Sequence, residues 1–260
     1  MMELNFKTND IAFEVKEHVA YILLNKPEQY NPISAEAMQD LSQCLTYCEE
    51  HDDVRAVVIR GAGGNFSAGG NVKAMKERLD NGINVTKRGI MRLKTLPKPT
   101  IAWVEGAVAG VGMSITLACD FSIVEETAKM VFAFVNIGFV PDGGVTYMLS
   151  RLVGPNKAAE LLMSGKRFTG AQARDWGLVT EAVPKEQLEE TVRGYIKKYA
   201  NGPSVAYAQM KRLLFNAAFP ELNACMQNEV EAQYVCSLTE DHREALTAFV
   251  EKRKPVFQGR

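Results

Sequence analysis

Two stretches of small residues are where this chain could do chemistry. One runs Phe66-Ser67-Ala68-Gly69-Gly70-Asn71-Val72-Lys73 after a strand-like segment, and the other runs Val108-Ala109-Gly110-Val111-Gly112-Met113 after another. Without bulky side chains, both let a ligand approach the backbone. Unpaired amide N–H groups there could converge on one oxygen, the second set aided by the dipole of a helix beginning near Gly112. Such a pair of donors is an oxyanion hole, which stabilises negative charge developing on a carbonyl. The same glycines also suit ordinary tight turns between strand and helix.

Other catalytic templates do not fit. The run Gly61-Ala62-Gly63-Gly64-Asn65-Phe66 lacks the third glycine of a dinucleotide fingerprint and the acidic residue that would end a second strand. Gly165-Lys166 lacks the upstream glycine and following Ser/Thr of a phosphate loop, and there is no GxSxG elbow. Cysteines at 44, 48, 119, 225 and 236 form no close CxxC pair, and His18, His51 and His242 are far apart. Neither a disulfide framework nor a metal site is expected.

The elements that must carry the two loops can be read from periodicity. Residues 19–24 and 54–60 are short β-branched runs, and between them Ser34 opens a helix with Met38, Leu41, Leu45 and Cys48 at helical spacing. A helix over 88–96 is stopped by Pro97-Lys98-Pro99, and a buried strand follows over 100–104. The second glycine loop then opens a short apolar helix over 113–119. Strands are expected over 121–124 and 131–135, then a turn at Pro141-Asp142-Gly143-Gly144 and helices through Leu149 and Leu161. Strand, glycine loop, helix is the recurring unit.

Beyond about Gly202 strand signals cease, and helices are expected over 204–219, 221–237 and 239–254. Thr239 caps the last. Lys252, Arg253 and Lys254 are expected to complement the negative end of its dipole. The fold class is therefore α/β, with a body over residues 1–200 and an all-helical part over 201–260.

Composition narrows the partners. The 260 residues, 47% of them hydrophobic, can bury one large core or two modest ones. Thirty basic and 31 acidic residues leave a formal net charge of −1, so no global positive field recruits nucleic acid or an anionic membrane. No signal-peptide pattern, membrane-length apolar run or Ser-Lys-Leu type C-terminal address is present, and the expected location is cytoplasmic.

Taken in order, a set of motifs resembles the crotonase (enoyl-CoA hydratase/isomerase) family over essentially the whole chain. They are Lys26-Pro27 with Asn31-Pro32, the loop Ser67 to Asn71, Gly106 to Gly112 through Ala118-Cys119-Asp120, Gly138 to Pro141 with Gly144, Ala173 to Val179, and Ala248 to Arg253. The resemblance implies a crotonase-like spiral of ββα units with a C-terminal helical trimerisation region, as a homotrimer or a dimer of trimers. It implies an acyl-CoA thioester substrate, with coenzyme A part of the substrate and no separate cofactor. Gly70 and Val111 would supply the two amides of the oxyanion hole. Lys26 and Ala68 would meet the bent CoA, and Phe249 and Lys252 its nucleotide end, the latter pair across a subunit boundary.

The family's hydratases use two glutamates where this chain has Ser114 and Phe134, so addition of water by a glutamate pair is disfavoured. Asp142 instead matches the aspartate of several non-hydratase members: certain 3-enoyl-CoA to 2-enoyl-CoA isomerases, 1,2-epoxyphenylacetyl-CoA isomerases and 4-chlorobenzoyl-CoA dehalogenases. The dehalogenase reading lacks its histidine, since none occurs over 86–96. The resemblance thus implies an enoyl-CoA isomerase in which Asp142 shuttles a proton and Phe132 and Phe134 wall the substrate. Epoxide isomerisation, thioester hydrolysis and a catalytically silent acyl-CoA-binding protein remain alternatives. The acyl group depends on how segments such as 76–87 cover the pocket.

Overall fold

A computed structural model describes residue 4, residues 6–72 and residues 82–260. Lys73, the polar stretch through Asp80 and the first part of segment 76–87 lie outside the described residues.

The main sheet has six strands in the order β1 (Ile11–Lys16), β2 (Val19–Leu24), β3 (Ala56–Gly61), β4 (Thr100–Val104), β6 (Phe121–Glu125) and β9 (Glu181–Val183). Only the β1–β2 pair is antiparallel. Central parallel strands are covered on both faces and so read as continuous apolar runs, and all five residues of β4 are buried. Alternation along β3 sends Val57 and Ile59 to the larger core and Ala56 and Val58 to a second one. Leu188, Val192 and Ala200 of a helix over Lys185–Ala200 close the second core.

The larger core is covered by α1 (Ala35–Glu50), α2 (Gly82–Thr95) and α3 (Val111–Ala118), each returning the chain to the next parallel strand. Ser34 caps α1 as expected, its side chain accepting from the Ala37 amide at 3.1 Å.

Between a main strand and its return helix the chain adds one short segment to a second layer. There β5 (Ala107–Ala109), β7 (Lys129–Val131) and β8 (Phe168–Thr169) pair, and bridges Ile33–Gly70 and Ser67–Val108 extend the layer. This is the spiral of ββα units. It puts the starts of successive return helices side by side.

Two local expectations are corrected. The strand expected over 131–135 ends at Val131, because β7 has partners only that far. The chain then closes into a 3₁₀ turn over Ala133–Ile137, with the Phe139 amide donating to Phe134 O and Gly138 at φ 65° ending it. Among the described residues, sheet pairing was available to residues 129–131 only, so strand propensity beyond them had nothing to act on.

Past α4 (Val145–Val153), α5 (Pro155–Ser164), α6 (Gly170–Asp175) and the Lys185–Ala200 helix, now α7, come α8 (Ser204–Ala218), α9 (Leu222–Ser237) and α10 (Glu240–Glu251). Thr239 caps α10 by accepting from the His242 amide. The C-terminal end differs from expectation. The helix stops at Glu251, Lys252 takes a left-handed cap at φ 55°, and Arg253 turns back onto Glu244 and Glu251 rather than onto the last carbonyls. A planar guanidinium between carboxylates outcompetes a helix end for that charge.

Candidate functional site

Both glycine loops reach the second layer at adjacent bridges, which sets their mutual geometry. Asn31 anchors the first loop from a buried position: its amide nitrogen donates to Ala62 O and Asn65 O at 2.9 and 2.8 Å, and its Oδ1 accepts from the Lys26 amide. Ser67 Oγ donates to Asn31 O at 2.8 Å and accepts from the Gly69 amide at 3.1 Å, while Gly69 O accepts from the Ile33 amide. The Ser67, Ala68 and Gly69 amides are all committed, to Ala107 O, Tyr30 O and Ser67 Oγ. Among the described residues, the Gly70 amide has no protein acceptor.

The second loop lies directly against the first. The Ala109 amide donates to Ser67 O at 2.9 Å and the Gly110 amide to Val131 O at 3.2 Å. Gly110 then turns the chain at φ 49°, ψ −123°, a conformation only glycine adopts readily. Val111 is the first residue of α3, so its amide has no acceptor within the helix and finds none elsewhere among the described residues. Contact is close. A Cβ on Gly69 would stand 2.9 Å from Ala109 O, one on Gly110 3.9 Å from the Gly70 nitrogen, and one on Gly112 2.9 Å from Ser67 Cβ. Two uncommitted amides on abutting loops, one at a helix N-terminus, can hold a single anionic oxygen.

Asp142 reaches this region through α3. Ser114, one turn after Val111, is fully buried and its hydroxyl donates to Asp142 O at 3.1 Å, while Gly143 packs on the same serine. The residue is half-buried, yet its Oδ1 is enclosed and accepts no hydrogen bond. Burial pushes the carboxyl up to about 7, with the nearby Glu229 carboxylate pushing the same way and the Gln233 amide opposing. A carboxylate held near neutrality is suited to take a proton and return it.

The structure thus gathers Gly70, Val111 and Asp142 around α3. Phe134 is buried where the resemblance puts a hydratase glutamate, and Phe132 is fully enclosed with its ring 5.8 Å from Phe168, in core packing. Ala68 is exposed, its amide donating to Tyr30 O at 2.7 Å. Lys26 lies nearby with its ammonium 3.1 Å from Asp10, so any phosphate it met would share it with that carboxylate. Phe249 and Lys252 are exposed at the end of α10. Among the described residues they make no hydrogen bond, ion pair or ring contact with Lys26, Ala68 or Gly70.

Sequence reasoning missed Glu229 and Gln233. Glu229 is 6% exposed and accepts from the Gly144 and Thr146 amides at 2.7 and 3.0 Å, capping α4. Gln233 Nε2 donates to Val140 O at 2.9 Å. The available signal was their place on the buried stripe Leu222, Met226, Glu229, Gln233, where polar residues continue an apolar face.

Comparison with known proteins agrees on kind. Residues 14–260 match the sequence profile of the family described as enoyl-CoA hydratase/isomerase. The 1,2-epoxyphenylacetyl-CoA isomerase of Escherichia coli is 32% identical over 258 residues, covering 96% of this chain and 98% of that protein. The trans-2-decenoyl-[acyl-carrier-protein] isomerase of Streptococcus mutans is 29% identical over 265 residues, covering 99% and 100%. A crystal structure of an enoyl-CoA hydratase from Mycobacterium avium subsp. paratuberculosis superposes with a TM-score of 0.90 at 31% identity, covering 96% of this chain and 98% of that one.

Proposed function

The chain belongs to the enoyl-CoA hydratase/isomerase family, and from that footing we propose that it is an isomerase moving a double bond from the 3- to the 2-position of an enoyl-CoA. The single observation that carries the reading is Asp142: an enclosed carboxylate oxygen without a protein partner, with a proton affinity near neutral, in a turn whose backbone is bonded to Ser114 of the helix that opens with the Val111 amide. Ionised Asp142 takes a proton from the carbon alpha to the thioester. The electron pair moves into a dienolate whose oxygen accepts from Gly70 and Val111. Protonated Asp142 then returns the proton at the gamma carbon, the enolate collapses, and the double bond is left conjugated. One carboxylate serves both transfers, so atoms and charge balance without a co-reactant. Ser114 and Phe134 cannot ionise to activate water, which supports isomerisation over hydration.

Lys26, Ala68, Phe249 and Lys252 are the proposed CoA contacts. Exposed apolar residues on α8, among them Val205, Leu213 and Leu214, support self-association, for which the family likeness suggests a trimer or a dimer of trimers. Among the described residues no helix is long and apolar enough to cross a membrane.

Asp142→Asn is expected to lower the rate of 3-enoyl-CoA isomerisation by about 10²–10⁴-fold while leaving thioester binding in place. A wild-type rate in that variant would sink the proposal. Epoxide isomerisation is a second reading, favoured by the Escherichia coli relative. Turnover of a 1,2-epoxyphenylacetyl-CoA but of no straight-chain 3-enoyl-CoA would select it. A silent binder would hold the thioester yet show no exchange of the alpha hydrogen for deuterium from D₂O.

A further inference from the structure

Asp142 sits in a turn whose backbone is held from the C-terminal helices. Upstream, Val140 O accepts from Gln233 at 2.9 Å; downstream, the Gly144 and Thr146 amides donate to Glu229 at 2.7 and 3.0 Å. Glu229 and Gln233 are one helical turn apart on the inward face of α9, and both are buried. A buried charge retained on an apolar stripe is costly unless it is well bonded, and here both carboxylate oxygens have amide donors.

We propose that Glu229 and Gln233 are positioning residues for Asp142, clamping the two ends of its turn from a single helix face. Burial raises the proton affinity of Glu229 itself and its two amide donors oppose that; in its ionised form it disfavours ionisation of Asp142, while the Gln233 amide favours it. Neither needs to touch substrate. This inference rests on the reading of Asp142 as the proton shuttle.

Among the described residues, the ionisable groups facing the turn are few. α9 contributes Glu229, with Cys225 one turn before it. α3 and α2 present Ser114 and Ile90 to Gly143, neither of which titrates. His242 of α10 stacks on Phe139 and bonds Ile137 O, upstream of the turn.

The test uses the full chain labelled with ¹³C at aspartate carboxyls, the Asp142 resonance being identified by its loss in Asp142→Asn. Glu229→Gln removes the second anion, and the Asp142 midpoint is expected at lower pH. Gln233→Met removes the amide while keeping its bulk, and the midpoint is expected at higher pH. The acid limb of kcat/KM for 3-enoyl-CoA should move in the same two directions, with KM changed less than kcat. A merely structural role would not give displacements of opposite sign.

Midpoints that stay put, or that both move the same way, overturn the proposal. If Glu229→Gln fails to fold, Gln233→Met decides alone, and an unmoved midpoint there overturns it. The two readings fail separately. An Asp142→Asn enzyme that isomerises at the wild-type rate removes the shuttle but leaves the NMR displacements standing, whereas an inactive Asp142→Asn with unmoved midpoints removes only the positioning role.

Discussion

Val111→Pro isolates one backbone hydrogen. Proline at this position deletes the amide proposed to bind the thioester oxygen, and the fold is placed to tolerate it. Val111 is the first residue of α3, where proline's missing N–H breaks no helical bond and its fixed φ suits the turn. The Met113 and Ser114 amides still find Gly110 O. Proline restricts its predecessor, but Gly110 at φ 49°, ψ −123° lies in the mirror image of the extended region that proline permits, and glycine occupies it without penalty. Valine and the proline ring have similar bulk, so a stability change within about 1–2 kcal/mol is expected. Loss of one of two oxyanion donors costs about 3–4 kcal/mol in the transition state, or roughly 10²–10³-fold in kcat. The assay is isomerisation of a saturating 3-enoyl-CoA, with thioester binding measured in parallel and a melting curve to confirm folding. Val111→Ala trims the same side chain but keeps the amide, and should lose far less. A folded Val111→Pro enzyme with wild-type kcat refutes the oxyanion assignment.

Asp142→Asn should also stabilise the protein in alkali. The unfolded carboxyl loses its proton near 3.8 and the folded one near 7, so the unfolded state binds fewer protons between these values and stability falls as pH rises through that window. At about 1.36 kcal/mol per tenfold change in proton affinity the ceiling is about 4 kcal/mol, and solvent reaching a half-buried residue reduces it to on the order of 2 kcal/mol. The variant should melt higher than wild type near pH 8 and converge with it near pH 4.5; an equal difference at both pH values contradicts the burial argument. Gly112→Ala pushes a Cβ to 2.9 Å from Ser67 Cβ, both residues being buried, and should cost about 1–3 kcal/mol of stability and separate the oxyanion loops. Thermal melting and the isomerase assay check this, and a variant with unchanged stability and rate shows that the loops are not so tightly apposed.

What was legible in the sequence was local. Ser34 and Thr239 announced helix starts because a cap is satisfied within three residues; β4 was readable because a buried parallel strand is apolar throughout, and β2 because its run is apolar. The resemblance marked Gly70, Val111 and Asp142. Where local propensity met a missing partner it failed: Phe132 to Val135 has strand character but no strand beside it among the described residues, and Arg253 has helix-end charge but the carboxylates of Glu244 and Glu251 nearby.

By itself the sequence determined which loops carry free amides and which turn carries the carboxylate. Whether those groups meet was decided by the second-layer bridges, which bring Gly70 beside Gly110, and by α3, which carries Val111 at its start and Ser114 against Asp142. The clamp on that turn was decided later still, by a helix 85 residues further along the chain. Caps and apolar runs are satisfied by neighbours in sequence, whereas a buried charge finds its donors only when the whole chain has packed.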